Sequence, residues 1–146
     1  MKKVVISGMG VVTPIGNDVD SLWASILAGK TGVGPVTQFD ASRLDSRVAA
    51  EVKDFDPSPY MDRKESRKMA RFTQFAVAAA VQAWRDAGLD GADTPARTAV
   101  ILGNGIGGLE IFEESFKKLL ESGPSRMPPM TVPPMLLNEA AGHLAL

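Results

Sequence analysis

Two glycine-rich turns, one histidine and a cluster of basic residues are the places where this 146-residue chain could do chemistry. Gly8-Met9-Gly10-Val11-Val12-Thr13 opens like a dinucleotide-binding turn, in which glycines let backbone amides approach a pyrophosphate. Thr13 stands where the third glycine belongs, and Pro14 follows in place of a helix's opening turn. No acidic residue suited to a ribose ends an adjacent second strand. Gly103-Asn104-Gly105-Ile106-Gly107-Gly108 does join an apolar run to a helix, but Ile106 sits where bare amides would face a phosphate. The spacing also departs from the fingerprint. Both strings therefore read as tight turns that let backbones approach one another. His143 lies in the final apolar stretch, with no cysteine in the chain and no carboxylate cluster beside it. A metal site there would lack ligands, and a structural histidine is the reading. Ser7 follows a strand without the Gly-x-Ser-x-Gly elbow, so no Ser-His-Asp arrangement is visible.

The basic cluster carries more information. Arg63, Lys64, Arg67, Lys68 and Arg71 are spaced three, four and seven apart, diluted only by Asp62 and Glu65. On a helix that spacing gathers several cations on one face. They would lie at the positive end of the macrodipole, where cations are slightly unfavourable, so an acidic partner is one reading. On charge pattern alone, a solvated face is preferred.

Composition bounds the rest. Sixteen Lys and Arg against 17 Asp and Glu leave a net charge of −1, which excludes a strongly basic nucleic-acid binder. Apolar residues make up 45% of the chain, enough for a packed core. The length suits one domain. No apolar run approaches the roughly 20 residues of a membrane helix, and the amino terminus lacks a signal peptide's apolar stretch. The absence of cysteine excludes a disulfide framework, a thiolate metal site and a cysteine nucleophile within these residues.

The elements that must position these groups follow from periodicity. Val4-Val5-Ile6 and Thr98-Ala99-Val100-Ile101-Leu102 read as strands buried on both faces. Asn17 or Asp18 can cap a helix carrying Leu22, Trp23, Ile26 and Leu27, which Gly29 stops. An alternating piece at 47–52 predicts a strand within an otherwise irregular stretch. Met69, Phe72, Ala76, Ala79, Ala80, Ala83 and Trp84 predict a long helix over 65–87, ended by Gly88. Its alanines permit close backbone approach, so burial on more than one side is expected. A helix over 109–121 places Leu109, Phe112, Phe116 and Leu119 on one side and Glu110, Glu113, Glu114, Lys117 and Lys118 opposite. Gly123-Pro124 breaks it. A proline-rich stretch then feeds a last helix from Met135, which ends in mid-pattern and predicts further chain. Strands alternating with helices predict an α/β architecture with a largely parallel sheet.

Taken in order, these segments resemble the amino-terminal part of the β-ketoacyl-acyl carrier protein synthases, closest to the synthase II type. The resemblance rests on Val4-Val5-Ile6-Ser7-Gly8-Met9-Gly10-Val11-Val12-Thr13-Pro14-Ile15-Gly16 and Leu27-Ala28-Gly29-Lys30-Thr31-Gly32. It continues through Arg63-Lys64-Glu65-Ser66-Arg67-Lys68-Met69, Gly105-Ile106-Gly107-Gly108-Leu109 and Asn138-Glu139-Ala140-Ala141-Gly142-His143-Leu144. It covers the whole chain, and well under half of a complete family member.

The resemblance implies a thiolase-like layered fold of two βαβαβ halves, of which residues 1–146 would be an incomplete first half. It implies a cytoplasmic homodimer that extends acyl chains without metal or redox cofactor. A cysteine nucleophile and two histidines would lie beyond Leu146, and His143 matches a non-catalytic position. Ile106 matches a residue gating the acyl pocket, with Gly105, Gly107 and Gly108 shaping its turn. Thr131 matches a position near the dimer interface that closes the partner's pocket. The family usually has two bulky aromatic residues where this chain has Met130-Thr131, which implies a roomier pocket. Lys64, Arg67 and Lys68, with Arg126 a weaker match, correspond to the patch that docks the acidic acyl carrier protein. This reverses the preference for a solvated face. Two alternatives remain: a non-catalytic chain-length-factor-like partner subunit of a polyketide complex, and a small module that binds an acidic partner. The exposed apolar final helix speaks against the module.

Overall fold

Asp18 begins the first helix as its spacing predicts. In the computed structural model, which describes residues 3–91 and 98–146, Ser21 N donates to Asp18 Oδ1 at 2.7 Å and Asp18 N donates to Ser21 Oγ at 3.3 Å. This reciprocal box starts α1, Val19–Leu27, and such caps are worth about 1 kcal/mol. Gly29 closes the helix at φ +63°, in the left-handed region that costs glycine nothing.

The described residues gather into two units, one of residues 3–56 and 79–90, the other of 57–78, 91 and 98–146. In the first, β1 (Val33–Pro35) pairs antiparallel with β2 (Val48–Ala50), with Gly34 opposite Ala49. The alternating segment at 47–52 therefore is a strand, but the pairing is not parallel. This hairpin is the only sheet among the described residues. Neither Val4-Val5-Ile6 nor 98–102 has a ladder partner among them, which corrects the expectation of two buried strands. Val4 is 97% exposed and Ile101 93%. The physical reason is that a doubly buried parallel strand needs neighbouring strands beside it and helices on both faces. A β-branched run signals the strand but supplies none of those neighbours.

The long helix expected over 65–87 is two helices. α2 covers Arg63–Ser66 and α3 covers Arg71–Asp86. Between them the amides of Lys68 and Met69 reach back only three residues, to Glu65 O and Ser66 O. Gln74 Nε2 then donates to Ser66 O at 2.9 Å and Met69 O at 3.2 Å, satisfying carbonyls that a continuous helix would have used. The amide of Arg71 donates to Glu110 Oε1 at 3.0 Å. Side chains from other turns thus replace the helical ladder at the break. The basic residues consequently do not share one helical face: Arg63 and Lys64 lie in α2, Arg67 and Lys68 in the turn, and Arg71 at the start of α3.

From Phe72 to Trp84 no residue of α3 is fully exposed, as its alanines predicted. In the first unit, a Cβ on Gly10 would lie 2.0 Å from Ala79 O, and one on Gly8 2.1 Å from Ala83 O. The Gly8-x-Gly10 string therefore seats backbone against the second half of α3. Alternate amides of that string are met by side chains one helical turn apart: Met9 N donates to Asp86 Oδ2 at 2.8 Å and Val11 N to Gln82 Oε1 at 3.1 Å.

In the second unit, α4 covers Leu109–Ser122, and Gly123 ends it at φ +78°. Its burial differs from expectation. Ser115 is the buried residue of the helix, while Phe112 and Phe116 are about half exposed and stack on each other at 6.0 Å. The last helix, α5, covers Glu139–Ala145 rather than starting at Met135. Pro133–Met135 forms a single 3-10 turn, and Leu136 then goes extended at ψ 136°, which interrupts the ladder. Small residues make the core here: Ala70, Thr73, Ala78 and Ala140 are each at most 1% exposed. Thr73 donates its hydroxyl to the carboxylate of Glu139, tying the start of α3 to α5.

Candidate functional site

Ile111, Glu114, Ser115 and Lys118 fall three, four and seven residues apart, so α4 presents them on one face. That face forms one wall of a cleft of about 360 Å³ within the second unit. Arg67, Lys68 and Met69 line it from the turn after α2, and Met130 and Thr131 from the proline-rich segment. Each wall has a local cause. Met69 is buried, and its carbonyl accepts from Gln74 Nε2 at 3.2 Å. Thr131 is fixed by its own hydroxyl, which donates to Pro128 O at 2.8 Å, and Ser115 Oγ approaches that hydroxyl at 3.5 Å. The walls of the cleft mix apolar side chains with charged ones, and the charged ones are three cations with one carboxylate, Glu114.

These cations differ in what engages them. Lys68 pairs with Glu65 at 2.8 Å, both side chains being about half exposed, so the pair is worth under about 1 kcal/mol. Arg67 and Lys118 make no side-chain hydrogen bond or ion pair among the described residues. Lys117, one residue away, bonds Glu113 at 2.6 Å, and that hydrogen bond with the Glu113 charge raises its pKa.

Of the residues singled out in the sequence, the cleft brings together Arg67, Lys68 and Thr131. Lys64 is exposed one turn earlier in α2, and Arg126 is exposed at the end of a 3-10 turn, Pro124–Arg126; neither lines the cleft. Gly105, Ile106, Gly107 and Gly108 also lie outside it. Their turn is built by Asn104, whose Oδ1 accepts from Ile106 N at 3.3 Å and Gly107 N at 3.2 Å. Asn104 Nδ2 donates in turn to Leu137 O at 3.3 Å. A Cβ on Gly107 would meet Met135 O at 2.6 Å, and one on Gly108 would meet Pro134 O at 2.3 Å. Two amides that a phosphate would need are thus already bonded. Ile106 itself is 69% exposed.

His143 Nε2 lies 3.6 Å from Glu139 Oε1, one turn away in α5, and that carboxylate is nearly buried. Among the described residues no three His, Cys, Asp or Glu side chains converge on a metal-sized site, and no helix is long and apolar enough to cross a membrane. The first unit has its own cleft around the Thr13–Gly16 turn and Lys53, where Asn17 Oδ1 is buried without a partner. None of the predicted site residues lines it.

Lys118 is among the cleft residues that were not predicted as site residues; its sequence pattern placed it, with Lys117, only on the side of α4 opposite the apolar one. Lys118 stands four residues from Glu114 just as Lys117 stands four from Glu113, so carboxylate spacing does not separate the two lysines. The available signal was that Lys118 falls seven residues after Ile111 and three after Ser115.

Comparison with known proteins places these features in context. Residues 1–146 match the model of the family described as β-ketoacyl synthase, N-terminal domain. The chain is 46% identical over 146 residues to the 3-oxoacyl-[acyl-carrier-protein] synthase 2 of Coxiella burnetii, covering 99% of this chain and 35% of that protein. It overlays the solved ishigamide ketosynthase/chain length factor with a TM-score of 0.86 and 33% identity, covering 97% of this chain and 36% of the other. It overlays a β-ketoacyl synthase from Burkholderia phymatum with a TM-score of 0.80 and 31% identity, covering 99% of this chain and 36% of the other. The chain therefore spans about a third of the length of such relatives.

Proposed function

This chain belongs to the β-ketoacyl synthase family and has the α/β fold of its thiolase-like ketosynthases, and from that premise we propose that it is the amino-terminal part of a 3-oxoacyl-acyl-carrier-protein synthase. The observation that carries this reading is its 46% identity, along the whole chain, to a synthase of that name. The reaction extends an acyl thioester by two carbons. A cysteine thiolate attacks the acyl thioester carbonyl and displaces the carrier thiol. Malonyl carrier protein loses carbon dioxide, and the resulting carbanion attacks the acyl-enzyme, releasing the cysteine and the 3-oxoacyl thioester. These 146 residues contain no cysteine. In this reading the nucleophile and its two histidines lie beyond Leu146, and this segment alone is inactive.

The segment's own work is docking and shaping. Lys64, Arg67, Lys68 and Arg126 receive the acidic carrier protein. The support is that all four are exposed and that Arg67 and Lys68 border a cleft with only one carboxylate. Gly105, Ile106, Gly107, Gly108 and Thr131 border the acyl pocket. For Ile106 the support is a turn pinned through Gly107 and Gly108, which carries an exposed apolar side chain. A homodimer in the cytoplasm completes the proposal.

Intact full-length protein, incubated with acyl- and malonyl-carrier protein, is expected to release carbon dioxide and form a 3-oxoacyl product. Neither product forming would overturn the assignment. If the protein instead supported condensation only beside a catalytic partner, it would be a chain-length-factor-like subunit.

A further inference from the structure

We infer that Lys118 is a further docking residue, which with Arg67 grips an acidic partner segment across the cleft while Glu114 sets the partner's register by repulsion. The inference rests on the docking reading above and adds to it a residue on a different element.

Three observations carry it. Arg67 and Lys118 reach the same cleft from separate elements, the turn after α2 and the face of α4. A partner held between them is constrained on two sides, which a single basic run cannot do. Second, both cations lack an ion-pair partner among the described residues, whereas the neighbouring Lys117 is engaged by Glu113. Like charges gathered in one cleft repel, and a partner carboxylate relieves that repulsion while steering the encounter. Third, Met69, Ile111 and Met130 line the same cleft as the cations. The matching partner segment is therefore acidic and carries an apolar side chain beside its carboxylates. Glu114 opposes any register that brings a carboxylate to its position, so it excludes misaligned partners rather than adding affinity.

The test uses full-length protein and acyl carrier protein at low salt, with binding followed by titration. Lys118→Glu is expected to weaken affinity roughly three- to fivefold or more, the size that exposed charge pairs give. Lys117→Glu, with the same change of charge one residue away, should change it less than about twofold. Glu114→Gln should tighten binding slightly. In turnover assays Lys118→Glu should raise KM for the carrier and leave kcat unchanged. Equal effects of Lys118→Glu and Lys117→Glu would overturn the inference, since long-range charge alone would explain them. If Arg67→Glu weakens binding and Lys118→Glu does not, Lys118 falls and the docking reading stands. If Lys64, Arg67 and Lys68 can all be reversed without effect, the docking reading itself fails. Should Lys118→Glu fail to fold, Lys118→Gln replaces it, with an expected loss of about twofold against an unchanged melting temperature; no loss from Lys118→Gln overturns the inference.

Discussion

The two glycine-rich turns look interchangeable as sequence and do different work. At Gly8-x-Gly10 the missing side chains make room for a helix backbone, and Gln82 and Asp86 meet the amides. At Gly103–Gly108 the amides are met from inside the turn by Asn104, and the last two glycines settle against Met135 O and Pro134 O. One turn is an acceptor for packing; the other is a bracket that holds out Ile106. Glycine content alone therefore says little about function, and what satisfies the neighbouring amides says much more.

That contrast can be broken by substitution. The largest effect is expected for Gly10→Ala, because its new methyl would lie 2.0 Å from a backbone oxygen that no side-chain motion can clear. A loss of about 3 kcal/mol, read by urea denaturation of the intact protein, would fit; a loss below about 1 kcal/mol would mean the turn lifts easily off α3. Gly107→Ala comes next. Its φ of +78° adds backbone strain to a 2.6 Å approach, for a loss of about 2 kcal/mol. By contrast, Gly103→Ala and Gly105→Ala have nothing within 4 Å of the new atom, and stability should stay within about 0.5 kcal/mol. If Gly105→Ala costs as much as Gly107→Ala, the bracket description is wrong.

Smaller effects sharpen the difference. Gln82→Leu removes the acceptor for Val11 N and the donor to Asn17 O, and should cost about 1–2 kcal/mol, whereas Asn104→Ala should cost about 1 kcal/mol. The smallest effect concerns pH, on the β1–β2 hairpin outside both turns. Glu51 accepts from the hydroxyl and amide of Thr37, which holds its pKa below the usual value. Because the folded pKa is depressed, the stability it contributes is present above the unfolded pKa and is lost as acid is added through the folded one. Thr37→Val should flatten that acid-side dependence in a denaturation series, and an unchanged slope would show that the bond is absent in solution.

What the sequence revealed was local. Asp18 as a cap, Gly29, Gly88 and Gly123 as stops, and the breadth of burial of α3 follow from spacing within one or two turns. The break between α2 and α3 does not, because it depends on Gln74 and Glu110 reaching carbonyls and an amide from elsewhere in the chain. Val4-Val5-Ile6 carries a strand's composition, but a ladder needs neighbours that lie far away in sequence. Among the proposed site residues, Arg67 and Lys68 were visible as charges, and their companionship with Thr131 and Lys118 was not. A cleft is made by three segments at once, and no periodicity within one segment encodes it.

The Asn104 bracket also sets a clock. The amides of Ile106 and Gly107 are bound, while the Ile106 side chain projects into solvent. Exposed side chains change rotamer in picoseconds to nanoseconds, whereas loops that must rearrange take far longer. If an acyl chain passes Ile106 as proposed, the obstacle it meets is a turnstile on a fixed post. It would slow passage by its bulk and add no waiting time of its own.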